Sequence, residues 1–469
     1  MSRDLQVKPF LHPFTKKVLL SKDLFFDCFS DRQGSLNLVF PQVIADNFKK
    51  FKQVFEKFGV SNAIHFAHKP NKSFALVKQL ADAGSCIDVA SFNELQNALN
   101  AGFDAKKICA GGPKNQAYID LCVDNKISMS VDSLSELLRI AESVSKVENY
   151  KQTVLVRLNV ESVLQVDKES RFGICVQEID KLLEILKSHR ELFDFQGFSF
   201  HINANAQKLR AKMFEKVLDF TLMFMKEGFN PTQINIGGGF KINYVENSNQ
   251  WHAYTSALIS SVIDQSEFLG WNKSGLGYWN EKGALRGQPQ FGDLYQDQSQ
   301  YDELSDFLST TLDKYQRTVA EILQDFMFTI IIEPGRAMLD SCGMTVSRII
   351  DKKTSSIGNN VLILDMNRSQ LGVQDQAYMI DPILLENKTD KNVYETFIAG
   401  NLCMKSDLIY RHKTFLPYEP EIGEYLAFVN SAGYYMDFAE SFTLQQPIAQ
   451  KYAVFEEDGE LKIIEDNKY

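Results

Sequence analysis

The strongest constraint on this chain is an alternation of two periodicities. Short apolar runs recur near residues 62–67, 85–89, 106–109, 127–131, 153–158, 195–201, 232–236 and 328–332. Most are followed by a helical pattern, at 73–83, 92–101, 115–123, 133–145, 176–188 and 206–227. Strands joined through crossover helices run parallel, and eight such units close on themselves. The expected fold class is therefore α/β, with a (β/α)8 barrel over residues 41–337. Its entry is an amphipathic helix with Val43, Ile44, Phe48, Phe51, Val54, Phe55 and Phe58 on one face. From 338 to 469 the pattern changes to short β-rich runs, at 344–350, 361–364, 425–430 and 453–455, which predict an antiparallel β domain. Residues 1–40 carry β-like runs at 18–20 and 24–29 with a turn at 30–34, and these strands are expected to complete that domain.

A length of 469 residues suits two domains. The apolar content of 44% and charged content of 23% are those of a soluble globular protein. With a formal charge of -10 and no Lys/Arg-rich block, neither a nucleic acid nor an anionic membrane is expected as a partner. No apolar run reaches membrane-spanning length, and the first residues hold no secretion signal. Seven widely spaced cysteines without a Cys-x-x-Cys pair predict a reducing, cytoplasmic setting rather than disulfides or zinc. The seven histidines are equally scattered, so no metal site is expected.

In parallel barrels chemistry collects at the C-terminal ends of the strands. Those ends carry Lys69, Asp88, the glycines of Ala110-Gly111-Gly112-Pro113, Asp132, Arg157, His201, Gly237-Gly238-Gly239, and Glu333-Pro334-Gly335-Arg336. Pro70 stops the first strand just after Lys69, and a lysine held there can form a Schiff base with a carbonyl compound. Three glycines after the seventh strand let backbone N–H groups approach an anion, and Arg336 adds a bidentate donor. Loops seven and eight are where barrels most often hold phosphate. Between Gly239 and Glu333 the spacing breaks. The excess, 243–302, contains all three tryptophans, and it is expected to act as a lid over the barrel mouth.

A lysine facing a phosphate site suggests pyridoxal 5'-phosphate carried on Lys69. Glu333 would keep the pyridine nitrogen protonated, His201 would stack on the ring, and Asp88 and Arg157 would hold the lysine and ring substituents. Taken singly, His201 also reads as a satisfied core histidine and Asp88 as a helix cap.

Several motifs then resemble the fold-type III pyridoxal-phosphate-dependent decarboxylases, the group of ornithine and diaminopimelate decarboxylases. They are Ala67-His68-Lys69-Pro70-Asn71, Ser85-Cys86-Ile87-Asp88-Val89-Ala90-Ser91, Phe198-Ser199-Phe200-His201, Ile236-Gly237-Gly238-Gly239-Phe240 and Glu333-Pro334-Gly335-Arg336. Gly400-Asn401-Leu402-Cys403-Met404-Lys405-Ser406-Asp407 and Ala432-Gly433-Tyr434 follow in the same order. The resemblance covers residues 60 to 450 and implies an alanine-racemase-like barrel in a homodimer with shared active sites. It implies that Tyr434 joins the phosphate site and that Cys403 and Asp407 reach in from the partner, Cys403 as a proton donor. Three departures stand out. Ala204 replaces a small hydroxyl or glycine-serine pattern. Met404 stands where these enzymes have an acid for the substrate's far amine, with Asp365 at another amine-binding position. The insertion is absent from the basic amino-acid enzymes and is similar to a siderophore-biosynthesis subgroup acting on citryl-diamino acids, the citryl-ornithine decarboxylases of rhizoferrin synthesis.

The expected activity is decarboxylation of a small-molecule amino acid whose far nitrogen carries an acyl group. A free diamino acid (ornithine, lysine or diaminopimelate) is the nearest alternative. A racemase of this fold faces the ring nitrogen with arginine, so Glu333 favours decarboxylation. A cofactor carrier would lack the second domain, and an inactive regulator would be expected to lose Lys69 or Glu333.

Overall fold

The computed structural model describes residues 5–29, 34–166, 168–202, 207–292, 294–372, 378–386, 388 and 392–469. Its centre is a closed barrel of eight parallel strands: Asn62–Ala67, Cys86–Val89, Ile108–Ala110, Ser128–Val131, Gln152–Arg157, Phe193–Ser199, Gln233–Asn235 and Thr329–Ile332. The eighth strand pairs with both the first and the seventh, which closes the ring. All eight lie where the alternation places them, within a few residues.

The strand-to-helix turns are set by local chemistry. Ser73, Ser91, Asn115 and Ser133 each accept a first-turn N–H at the start of helices Phe74–Asp82, Phe92–Asn100, Gln116–Asp124 and Leu134–Val144. A cap of this kind contributes about 1 kcal/mol and fixes where the helix begins. The loops at this end of the barrel are therefore short and determinate. The sixth strand shifts register against the fifth between Val154 and Leu155. Gly197 sits there at φ 141°, and a Cβ would lie 2.0 Å from the Gln233 carbonyl oxygen, so only glycine fits.

The second domain is a nine-stranded sheet, and it is mixed rather than antiparallel. Strand Leu36–Val39 runs antiparallel to Gly343–Thr354 and parallel to Gln450–Glu457, and Asn360–Leu364 runs parallel to Tyr394–Ala399. The N-terminal expectation needs correction. Residues 18–20 and 24–29 are helical, in Pro13–Leu20, Asp23–Phe26 and the tight turn Asp27–Phe29; only Leu36–Val39 joins the sheet. His12 caps the first of these helices, with its Nδ1 accepting the Phe14 N–H, and Pro13 follows at the first helical position. A short apolar run cannot be told from a buried helical face by periodicity alone. The turn expected at 30–34 falls, apart from Gly34, outside the described residues.

The inserted segment is a folded unit: helix Ser248–Ile263, a hairpin of Tyr278–Glu281 with Ala284–Gly287, and the start of helix Gln300–Ser309. It docks on the β domain. Trp271 N–H donates to the Arg411 carbonyl at 2.8 Å, Lys413 N–H donates to Leu269 at 2.7 Å, and Tyr254 Oη donates to Lys413 at 3.1 Å. The Trp271 and Phe397 rings meet edge to face at 5.0 Å. No helix among the described residues is long and apolar enough to cross a membrane.

Candidate active site

Three strand ends are tied together around Lys69. Ala67 N–H donates to the Pro334 carbonyl at 3.3 Å, and His68 N–H donates to the Asp88 carbonyl at 3.0 Å. Just beyond, the Pro70 carbonyl accepts the Tyr434 N–H at 3.1 Å. Gly335 lies against the Pro70 ring, where a Cβ would come within 2.8 Å of Pro70 Cγ. Lys69 is exposed at this junction of barrel and β domain. Tyr434 is held at φ 76°, a left-handed conformation that costs an aromatic residue energy and is found where surroundings over-determine it.

Across the mouth stands a connected carboxylate group. Asn235 Nδ2 donates to Glu333 Oε1 at 2.6 Å, and its Oδ1 accepts the Gly237 N–H at 2.8 Å. Glu333 N–H in turn donates to the Gly237 carbonyl at 2.9 Å. One amide thus aligns both the acid and the glycine turn. His201 borders the same turn, its Nδ1 accepting the Gly238 N–H at 3.2 Å. Added Cβ atoms would lie 2.6 Å from the Phe200 carbonyl at Gly237 and 2.4 Å from the Glu333 carbonyl at Gly238. Only glycine lets the turn pass between His201 and Glu333. Burial first, then the charge of Glu333, pushes the Asp88 carboxyl well above the usual range, and Lys69 opposes that shift.

The glycine turn is held from behind by a buried ion pair. Arg210 donates to the carbonyls of Gly238 and Gly239, both at 3.0 Å, and pairs with Glu303 at 2.9 Å. Glu303 also accepts the Lys241 N–H at 2.8 Å, and neither side chain is more than 1% exposed. Arg210 takes the carbonyls of Gly238 and Gly239, and the N–H groups of Gly237 and Gly238 go to Asn235 and His201, which leaves the Gly239 N–H as the turn's donor for an anion. The Arg336 guanidinium lies over the Tyr434 and Tyr435 rings at 5.0 and 4.9 Å. A Cβ at Gly433 would meet Arg336 Cγ at 3.0 Å, so that glycine lets the tyrosine loop close on the arginine.

The mouth therefore unites Lys69, Asp88, His201, Gly237, Gly238, Gly239, Glu333, Arg336 and Tyr434. Asn235, Arg210 and Glu303 complete it and were not read from the sequence. For Arg210 a signal existed: it falls on the same buried face as Met213, Phe214 and Val217, a position where an unpaired charge is not tolerated. Arg157 pairs with Asp132 at 3.8 Å and stacks on Phe172 at 4.6 Å, and Asp132 accepts the Gly173 N–H. The position of Ala204 lies outside the described residues.

Four expected residues sit in the β domain, apart from this cluster within one chain. Cys403 and Met404 are exposed on the loop after Tyr394–Ala399. Asp407 is buried, accepting Arg368 N–H at 2.8 Å and Leu402 N–H at 2.7 Å, so both oxygens serve the loop itself. Asp365 accepts Gly34 N–H at 3.0 Å and lies 3.6 Å from Arg348. Within one chain, the Asp407 carboxylate thus holds the backbone of its own loop and of Arg368.

The donor set fits pyridoxal phosphate: a lysine amine facing two carboxyls, and a glycine turn and arginine that can take an anion. Residues 42–275 match the pyridoxal-binding domain of the pyridoxal-dependent decarboxylases. An uncharacterised protein of Sinorhizobium fredii is 26% identical over 453 residues, covering 94% of this chain and 93% of its own length. The diaminopimelate decarboxylase of Staphylococcus aureus is 24% identical over 433 residues, covering 88% and 87%. The crystal structure of diaminopimelate decarboxylase from M. jannaschii superposes with a TM-score of 0.68 at 20% identity, covering 94% of this chain and 90% of that one. At that identity the superposition speaks for the fold, an alanine-racemase-like barrel with its β domain. Together with the matched domain and the relatives along the chain, it places this protein among the fold-type III pyridoxal-phosphate-dependent decarboxylases, as a carboxy-lyase.

Proposed function

We propose that this carboxy-lyase acts on a diamino acid whose far nitrogen is acylated, with citryl-ornithine, giving citryl-putrescine, as the first candidate and siderophore (rhizoferrin) synthesis as its setting. Relatives named diaminopimelate decarboxylase support a diamino acid. One observation carries the acyl group. Beside Met404, in the cavity between the inserted segment and the β domain, Asp407 is the one acid among the described lining residues, and backbone N–H groups occupy both of its oxygens. A free ammonium desolvated there would need a carboxylate, and lacking one costs about 2–5 kcal/mol. Met404 suits a neutral or bulky group.

Bound pyridoxal phosphate supplies an electron sink for the pair released as the Cα–carboxylate bond breaks. Lys69 carries the cofactor and moves protons at Nζ. Glu333, fixed by Asn235, keeps the ring nitrogen protonated, and His201 bounds the ring pocket. The Gly239 N–H with Arg336 and Tyr434 holds the phosphate, and Asp88 sets the field at the Lys69 amine. In a homodimer, the Cys403 loop of one chain completes the mouth of the other, and Cys403 delivers a proton from Sγ to Cα. Mass spectrometry of citryl-ornithine incubated with the holoenzyme tests this reading. The expected product has lost carbon dioxide and kept the acyl group; hydrolysis to free ornithine, or no reaction, contradicts it.

A further inference from the structure

The cavity between the inserted segment and the β domain has a composition that the barrel chemistry does not use. Its volume is about 570 Å3, within the range of small-molecule sites. The insertion supplies Ser274, Leu276 and Gln290 to one wall. Opposite stand Asn367, Arg368, Arg411 and Met404. We infer that this cavity is a polycarboxylate subsite in which Arg368, Arg411 and the Asn367 amide hold the acyl part of the substrate. The inference rests on the proposed function.

Asn367 is 1% exposed, and its Oδ1 is used by the Ser369 N–H and hydroxyl at 2.9 and 2.6 Å. Its Nδ2 is buried with no partner among the described residues. A buried donor left unmade is costly, so the amide is set for an acceptor that a ligand brings. Arg368 is anchored by its N–H to Asp407 and by Nη1 to the Ser406 carbonyl at 3.2 Å. Neither acceptor there is a carboxylate left over for a ligand cation. Arg411 is exposed, and its guanidinium makes no ion pair among the described residues. Its carbonyl accepts Trp271 N–H at 2.8 Å, so the insertion fixes the backbone that presents this arginine. The Ser406 and Thr443 side chains add hydroxyls to the same lining. Two guanidiniums, an open amide donor and hydroxyls, with the one acid among the described lining residues already committed, match a group carrying several carboxylates, which arginine binds in bidentate fashion.

The test combines calorimetric titration of the holoenzyme with citrate, or with inorganic phosphate as the control anion, and kinetics of Arg368→Ala/Arg411→Ala. Citrate is expected to bind once per chain, to compete with the acylated substrate, and to exceed phosphate. The double substitution should weaken citrate by about tenfold to a hundredfold, as loss of hydrogen-bonded charges does. The ratio of kcat/KM for acylated over free diamino acid should fall by a similar factor, and Arg411→Lys in the Arg368 background should recover part of it. Equal binding of phosphate, or citrate affinity unmoved by the substitutions, overturns the subsite. If citryl-ornithine is not decarboxylated while citrate binding still depends on the arginines, the proposed function fails and the subsite stands. If it is decarboxylated and selectivity ignores both arginines, the subsite fails and the function stands.

Discussion

Glu333 and Lys69 act at the scale of single atoms, and their neighbours say what replacement would do. Glu333→Gln keeps the shape of the side chain and its acceptor for Asn235, so cofactor should still bind. The ring nitrogen would no longer face a charge, and kcat should fall about a hundredfold or more, as when a preorganised electrostatic partner is lost. Unchanged turnover, measured as carbon dioxide release, would remove Glu333 from that role. Lys69→Ala deletes an exposed side chain, so the thermal transition should hold while cofactor absorbance and turnover vanish. These residues were legible because strand ends and glycine runs announce themselves locally. Asn235 and Arg210 were not. Their partners Glu333 and Glu303 lie 98 and 93 residues away, and nothing short of the closed barrel brings them together.

Elements carry the next layer of the account. The glycine turn, helix Gln207–Lys226 and helix Gln300–Ser309 are joined through Arg210 and Glu303, so the end of the insertion is coupled to the turn proposed to hold phosphate. Arg210→Ala leaves Glu303 buried without its arginine, at a cost of about 3–5 kcal/mol. Arg210→Lys keeps the charge but cannot span both carbonyls, so cofactor affinity, followed by absorbance titration, should fall more than stability does. A second element-scale case is His412, in the segment that binds insertion to sheet. It stacks on Tyr410 at 4.4 Å, has no hydrogen-bond partner at either ring nitrogen, and burial lowers its pKa to about 3. The unfolded histidine protonates near pH 6.5 and the folded one does not, so this stabilising difference is lost as pH falls from 6.5 toward 3. His412→Phe should therefore raise the denaturation midpoint, and by about 2 kcal/mol more at pH 5 than at pH 7.5. An equal effect at both pH values would contradict a buried neutral imidazole. The alternation of short apolar runs with helical patterns made the barrel units readable in sequence. The N-terminal helices were not, because runs of three to six apolar residues fit either period.

At the scale of the whole molecule, the barrel mouth and the Cys403 loop are separate places in one chain, and a homodimer is what the proposal uses to unite them. The insertion was expected to cover the mouth. It docks on the β domain, where it walls the cavity beside Met404. Long-range docking of that kind has no signature in local pattern, whereas its aromatic content marked it as a folded unit. Both proposals turn on selection of an acylated substrate by this cavity. The most direct measurement is carbon dioxide release by the holoenzyme across citryl-ornithine, citryl-diaminopropionate, ornithine, lysine and diaminopimelate, expressed as kcat/KM. The account predicts that the citryl conjugates exceed every free diamino acid, with citryl-ornithine highest; a free diamino acid that equals or exceeds them would contradict it.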